Sequence, residues 1–288
     1  MAPKKTLGLI LIALFCTGCA ASLVKQYGKH EAVQTLQKDT TWEGVIEVRG
    51  AIFVPAGVTL LIRPGTIVRF AGKQSIHDEL KRHDIIDGAG IKVEGRILAK
   101  GTASLPIFFT SAEVSPARGD WDKLLINKSR GSVFSHCFIE YADYGFHAHF
   151  AEVLVEHSTI RHNNEGFRLG ESRFTINRCR IEQNFSRGIN FRTSQNLITN
   201  NLITGNGVGI FLYEGTQAST IARNNITDNR DYGLRLGDFH SNDVKLHDNW
   251  WGTADGLLIA QRIWDGADEP GTGLALVKPR QSPWELNE

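Results

Sequence analysis

The chain is 288 residues long, enough for one large solenoid or two ordinary domains. Its hydrophobic share of 41% and charged share of 22% suit a folded soluble body. Lys and Arg total 32 against 31 Asp and Glu, a formal charge of +1, so no global field recruits nucleic acid or an anionic bilayer.

The first element is an address. Lys4 and Lys5 precede the apolar run Leu7 to Phe15, which is too short to span a bilayer and is built like a secretory signal. Cys16-Thr17-Gly18-Cys19 follows and resembles the lipobox of bacterial lipoproteins. In that family a small residue precedes the cysteine whose thiol carries lipid. Cys19 after Gly18 fits; Cys16 follows bulky Phe15 and stands where the family usually has Leu. The resemblance implies a signal peptide over residues 1–18, lipidation at Cys19 and a membrane partner through that N-terminal lipid. Ala20 after the cysteine points, by the same family rule, to the outer membrane, on its periplasmic or its surface face. The competing reading is an ordinary cleaved signal ending near Ala20-Ala21.

Residues 19–41 are a tether or an N-terminal cap, since Ser22 to Asp39 is polar with weakly helical apolar spacing. Residues 42–253 are assigned to the solenoid. Its opening stretches, Gly57 to Phe70, Ile91 to Gly101 and Pro106 to Ser111, alternate apolar with polar residues between Pro-Gly and Gly turns. The charged stretch Lys73 to Asp87 between them is expected to bulge from a corner as a loop.

From about Ser129 to Trp251 one pattern returns every 21 to 25 residues. An isoleucine slot recurs at Ile139, Ile160, Ile181, Ile203 and Ile226. Asn163, Asn184, Asn206 and Asn229 stand three positions after it, and Phe134, Val155, Ile176, Ile198 and Ile221 five before it. Each repeat holds two or three half-buried strands and no room for a crossover helix, so stacked parallel coils are the arrangement left. The fold class is all-β, a right-handed parallel β-helix. Asparagine is expected at the corners because it tolerates left-handed backbone and its amide bonds its copy in the next coil. Glycine is expected where corners need positive φ. Cys137 and Cys179 share one column two coils apart, about 9.6 Å, beyond disulfide reach; they are expected to be free, buried fillers.

Residues 254–288 form a C-terminal cap or tail after Asp248-Asn249-Trp250-Trp251-Gly252, with a short amphipathic helix expected within Ala254 to Ile263. The opening segment Ile52 to Phe70 and this Asn-Trp-Trp-Gly close resemble the bacterial parallel β-helix repeat proteins of the pectate-lyase-like superfamily, over Trp42 to Pro283. That resemblance implies fold more than function, because the scaffold serves lyases, hydrolases, epimerases, binding proteins and surface proteins.

No cluster of carboxylates suited to glycoside hydrolysis and no calcium-binding acidic set stands out, so catalytic residues and cofactors are assigned to none. Tyr144 to His149 faintly echoes a signature of alginate epimerases but lacks its Asp-Pro. His147 and His149 point outward from one strand; solvated surface histidines and a metal-binding pair are the two readings, and no metal site is assigned. Some relatives with this repeat are described as copper-associated periplasmic proteins.

The functional surface is expected on the strand after each corner glycine. Residues two and four past glycine face out: His147, His149, Arg168, Asn190, Arg192, Phe211, Tyr213 and Arg235, with Phe211 exposed. Aromatic faces stack on sugars and Arg pairs with carboxylate, so a shallow groove for an acidic glycan is expected, against a merely solvated ladder. Three classes of function stand open: a lipid-anchored, non-enzymatic envelope protein binding a polysaccharide or other surface component, a polysaccharide lyase, hydrolase or epimerase, and a structural or adhesive spacer.

Overall fold

Each repeat closes into one coil of three short strands, as in Cys137–Glu140, Ala142–His149 and Glu152–Glu156. The computed structural model describes residues 24–27, 33–72, 85–215 and 219–285. The expected signal peptide and Cys19 lie outside these, as does most of the stretch expected to bulge after Gly72. Every strand pairs in parallel with its counterpart one coil on. The coils thereby build three sheets of nine, ten and eight strands among the described residues, which we number 1, 2 and 3 in the order the chain visits them. The isoleucine slot is one ladder of sheet 1, Ile139 to Ile160 to Ile181 to Ile203 to Ile226. The column from Phe134 to Ile221 is a ladder of sheet 3. These side chains, with Phe146, Phe167, Ile189, Ile210 and Leu234 from sheet 2, fill a continuous apolar bore.

The corners correct the expectation for asparagine and narrow the one for glycine, which Gly44, Gly65 and Gly205 meet with φ of 76°, 77° and 66°. None of Asn163, Asn184, Asn206 and Asn229, the column after the isoleucine slot, takes the left-handed conformation; the residue before each does. His162, Gln183 and Asp228 have φ of 55°, 55° and 54°, and Asn163, Asn184 and Asn229 follow them. The left-handed residue swings the asparagine inward, where its amide is spent on the ladder. Asn184 Nδ2 donates to Ile160 O (3.1 Å) and Asn206 Oδ1 (2.9 Å), while Asn184 Oδ1 accepts from Asn163 Nδ2 at 3.0 Å. A second ladder, Asn201–Asn224–Asn249, works in the same way at the corner entering sheet 1. The corner glycines of sheet 2 likewise do not have positive φ. A methyl at Gly166 would lie 2.5 Å from Gly188 O and 3.1 Å from Asn184 Nδ2, so glycine is required by the closeness of the next coil.

Cys137 and Cys179 are free and buried, as their shared column implied. Upstream, Lys25–Tyr27 and Val33–Thr35 pair in parallel with Val45–Val48 and Ala51–Val54, so the described residues before Trp42 are strands of an opening coil. Downstream, the expected short helix forms over Gly256–Ala260 and is capped by Asp255. Ile263–Trp264 then adds a last strand to sheet 2.

Candidate functional site

Sheet 2 has the longest strands, and its outer face carries the polar and aromatic side chains that the bore excludes. Three ladders run up it. The entry ladder is Lys123, Tyr144, Glu165, Arg187, Val208 and Tyr232. The middle ladder is Leu125, His147, Arg168, Asn190, Phe211, Arg235 and Trp264. At the exit edge stand Asn127, His149, Gly170 and Arg192, with Tyr213 two residues beyond Phe211.

The structure therefore brings His147, Arg168, Asn190, Phe211 and Arg235 into one ladder, with His149, Arg192 and Tyr213 beside it. The entry ladder was missed. Strict alternation counted back from Phe146 puts Gly145 outward and Tyr144 inward. In the fold Gly145 and Phe146 are both buried in succession, and the residue before each corner glycine turns out instead. The available signal was the recurring pair itself: Tyr144-Gly145, Glu165-Gly166, Arg187-Gly188.

Charge on this face is organised around aromatic rings. Arg168 lies over Tyr144 at 5.5 Å, Arg187 over Phe211 at 4.5 Å, and Arg235 over both Phe211 (5.8 Å) and Trp264 (5.6 Å). Phe211, expected exposed, is only 7% exposed, because these two guanidiniums cover it. It supports arginines rather than offering a free face to a sugar. The exposed aromatics are its neighbours Tyr213 and Phe239, edge to face at 5.6 Å, Phe185, and Phe150 at the corner after His149.

One carboxylate sits among the cations. Glu165 is buried and accepts from Arg187 Nη1 at 2.5 Å and Asn190 Nδ2 at 3.4 Å, with Arg168 Nη1 at 3.8 Å. At the other end, His149 Nδ1 faces Glu171 Oε2 (3.2 Å) and its Nε2 faces His147 Nε2 (3.1 Å). His147 is 1% exposed, so the reading of both histidines as solvated surface groups is corrected for this one. Burial raises the phenol pKa of nearby Tyr144 above its ordinary value, partly opposed by the positive charge of Arg168. Among the described residues no group of three or more His, Cys, Asp or Glu is placed to hold a metal ion.

Next to the middle ladder, where the chain turns from sheet 1 into sheet 2, Phe185, Arg187, Phe211, Arg230, Asp231 and Arg235 line a groove of about 450 Å³. Arg230 donates to Phe185 O and to Gly205 O (3.4 Å), which ties this wall to the two coils below.

Three stacked parallel sheets with a decorated outer face define a parallel β-helix of the pectate-lyase-like type. Residues 29–131 match the family described as pectate-lyase like beta helix domain. Residues 82–251, more than half of the chain, match the family described as periplasmic copper-binding protein (NosD), and the chain belongs to that family. No curated protein and no solved structure matches it. A periplasmic family agrees with a cell-envelope protein.

Proposed function

We propose that this β-helix envelope protein is non-enzymatic and holds a polysaccharide or other surface component along the outer face of sheet 2, with an acidic glycan the best chemical partner. The observation that carries this is the set of arginines braced on aromatic rings over successive coils. Bracing lowers the entropy lost when a guanidinium grips an anion, and the rings keep the cations from folding onto the backbone. The coil spacing of about 4.8 Å is comparable to one sugar unit, so a chain laid along the solenoid axis meets a fresh rung at each residue. Exposed Tyr213 and Phe239 supply apolar faces at the exit edge. In the same proposal Cys19 carries the lipid that anchors the body to the outer membrane.

Replacing Arg168, Arg192 and Tyr213 together with Ala should weaken binding to acidic envelope polysaccharides by about tenfold or more. Unchanged binding across the panel would discard the groove. Release of unsaturated or shortened sugars from the same panel would favour the lyase, hydrolase or epimerase reading. Binding to none of them would favour the structural one. For the anchor, labelling with a palmitate analogue should be sensitive to globomycin and lost in Cys19→Ala.

The name of the family raises copper as a second reading. Two imidazoles are available in His147 and His149, and the Glu171 carboxylate at His149 Nδ1 is the kind of outer partner that orients a metal-binding histidine. A closed centre needs more ligands than that pair, and the two Nε2 atoms at 3.1 Å face each other as hydrogen-bond partners. Cys137 and Cys179 lie in the bore, with thiols that burial keeps protonated. The described residues therefore do not fit a closed copper centre, and no step is routed through one. Stoichiometric copper uptake that His147→Ala abolishes would reverse this.

A further inference from the structure

Arg235 differs from the other arginines of this face. Arg168 and Arg187 reach Glu165, Arg192 reaches Glu171, and Arg230 donates to backbone carbonyls. Arg235 makes no hydrogen bond or ion pair among the described residues, and its Nε is buried without an acceptor. Its guanidinium is instead held between the rings of Phe211 and Trp264. Burying a cation's donor unpaired is costly. Here the cost is sustained at the wall of a groove lined by three arginines and one acidic residue, Asp231.

The two rings fix the plane of the guanidinium, and a fixed planar fork matches a planar carboxylate through two parallel N–H···O bonds. Two coils away on the same face Arg187 Nη1 and Asn190 Nδ2 both donate to Glu165 Oε1, so a carboxylate of the chain itself is already held there by cationic and amide donors. Phe185 at the rim carries Arg118 and Arg230 at 4.6 and 5.6 Å from its ring centre and is still more than half exposed.

We propose that Arg235 anchors a carboxylate subsite in this groove. It receives the ring carboxylate of a uronic-acid sugar in its fork, with Arg187 and Arg230 adding positive field and Phe185 contacting the sugar ring. This rests on reading sheet 2 as the surface for an acidic glycan, and narrows that reading to one pocket, one anchor and one acidic group.

The test is calorimetric titration of the full chain with a hexagalacturonate, with its carboxyl-reduced neutral hexamer, and with a sulfated neutral hexamer. The wild type should bind the uronate and neither of the others. Arg235→Ala should lose at least about tenfold, and Arg235→Lys nearly as much, because a point charge does not replace the fork. Arg173→Ala, on the outer face of sheet 3, should leave binding unchanged. Uronate binding that survives Arg235→Ala would overturn the subsite and leave the glycan surface standing. Equal binding of the sulfated hexamer would overturn the preference for a carboxylate. No uronate binding by the wild type would remove both. Should Arg235→Ala not fold, arginine modification of the wild type by phenylglyoxal, mapped by peptide mass, decides the matter: hexagalacturonate must protect Arg235 and the neutral hexamer must not.

Discussion

Among the described residues before Asn127, positive φ occurs only at glycine: Gly44, Gly57, Gly65, Gly88 and Gly119. From Lys128 to Asp248 the same conformation is held mostly by side chains that ordinarily avoid it, among them His157, Arg178, Gln183 and Arg223. Both halves build the same coil. The early coils turn on Pro-Gly and similar turns, where glycine takes the bend freely. The later coils turn on a single left-handed residue, which costs about 1 to 2 kcal/mol when it is not glycine. What offsets that cost is the side chain that follows. Each such residue aims the next one, Asn, Ser, Cys or Ala, into the bore, where the polar ones bond the coils above and below. The lesson is that a strained backbone angle recurs where an inner hydrogen-bond ladder depends on it.

Four experiments bear on this contrast. Asn184→Ala should have the largest effect, because it strips partners from Ile160 O and from Asn163 N and Nδ2. A loss of about 3 kcal/mol or more in urea unfolding is expected; a loss under about 1 would mean that the ladder does not support the corners. Gly188→Ala comes next. Its methyl would meet Gly209 O at 2.7 Å and Asn206 Nδ2 at 3.0 Å, and crowding of that kind should cost about 2 kcal/mol. Gly44→Ala, in open space at φ 76°, should cost about 1 kcal/mol, from backbone strain alone.

The smallest effect concerns acid. His136 and His157 are corner residues stacked at 4.9 Å, and the His157 pKa is lowered first by burial and then by the nearby His136 charge. The unfolded chain therefore takes up a proton at this site before the folded one. Stability from this site is complete above about pH 6.5 and is lost as pH falls below it. His157→Asn keeps a residue that tolerates the corner and should flatten the decline in unfolding midpoint between pH 7 and pH 5. An unaltered slope would place the acid sensitivity elsewhere.

The thiols give an independent reading of the same bore. Burial pushes the Cys179 pKa up to about 12, with Ser158 and Asn177 backbone contacts opposing it, and raises that of Cys137 as well. Reaction of either thiol with a disulfide reagent at pH 8 should therefore proceed only as fast as the chain opens.

Most of the fold was legible in the residues because a solenoid writes its register into the spacing of like side chains. Ile160 over Ile181 over Ile203 is one ladder in sequence and in space. The free state of Cys137 and Cys179 followed from that spacing alone. The corner mechanism was less legible. Asn163 and Asn184 stood out as a column, but a column does not say which of two adjacent residues takes the unusual φ. The candidate site was legible in part. Position after the corner glycine placed Arg168, Asn190 and Arg235 on the outer face, but the entry ladder with Glu165 and Arg187 was hidden by the break in alternation at the glycine. Whether an outward residue is exposed depended on its neighbours, so Phe211 lies under two arginines and His147 is nearly inaccessible.

By itself, then, the sequence determined the architecture, the stacking register and the ladders that fill the bore, because each depends on periodic contacts between identical positions one coil apart. The tertiary structure decided which outward side chains share a pocket, which are covered, and which cation is left unpaired. Those outcomes depend on aperiodic features, such as Trp264 of the closing strand reaching Arg235, that no repeat encodes.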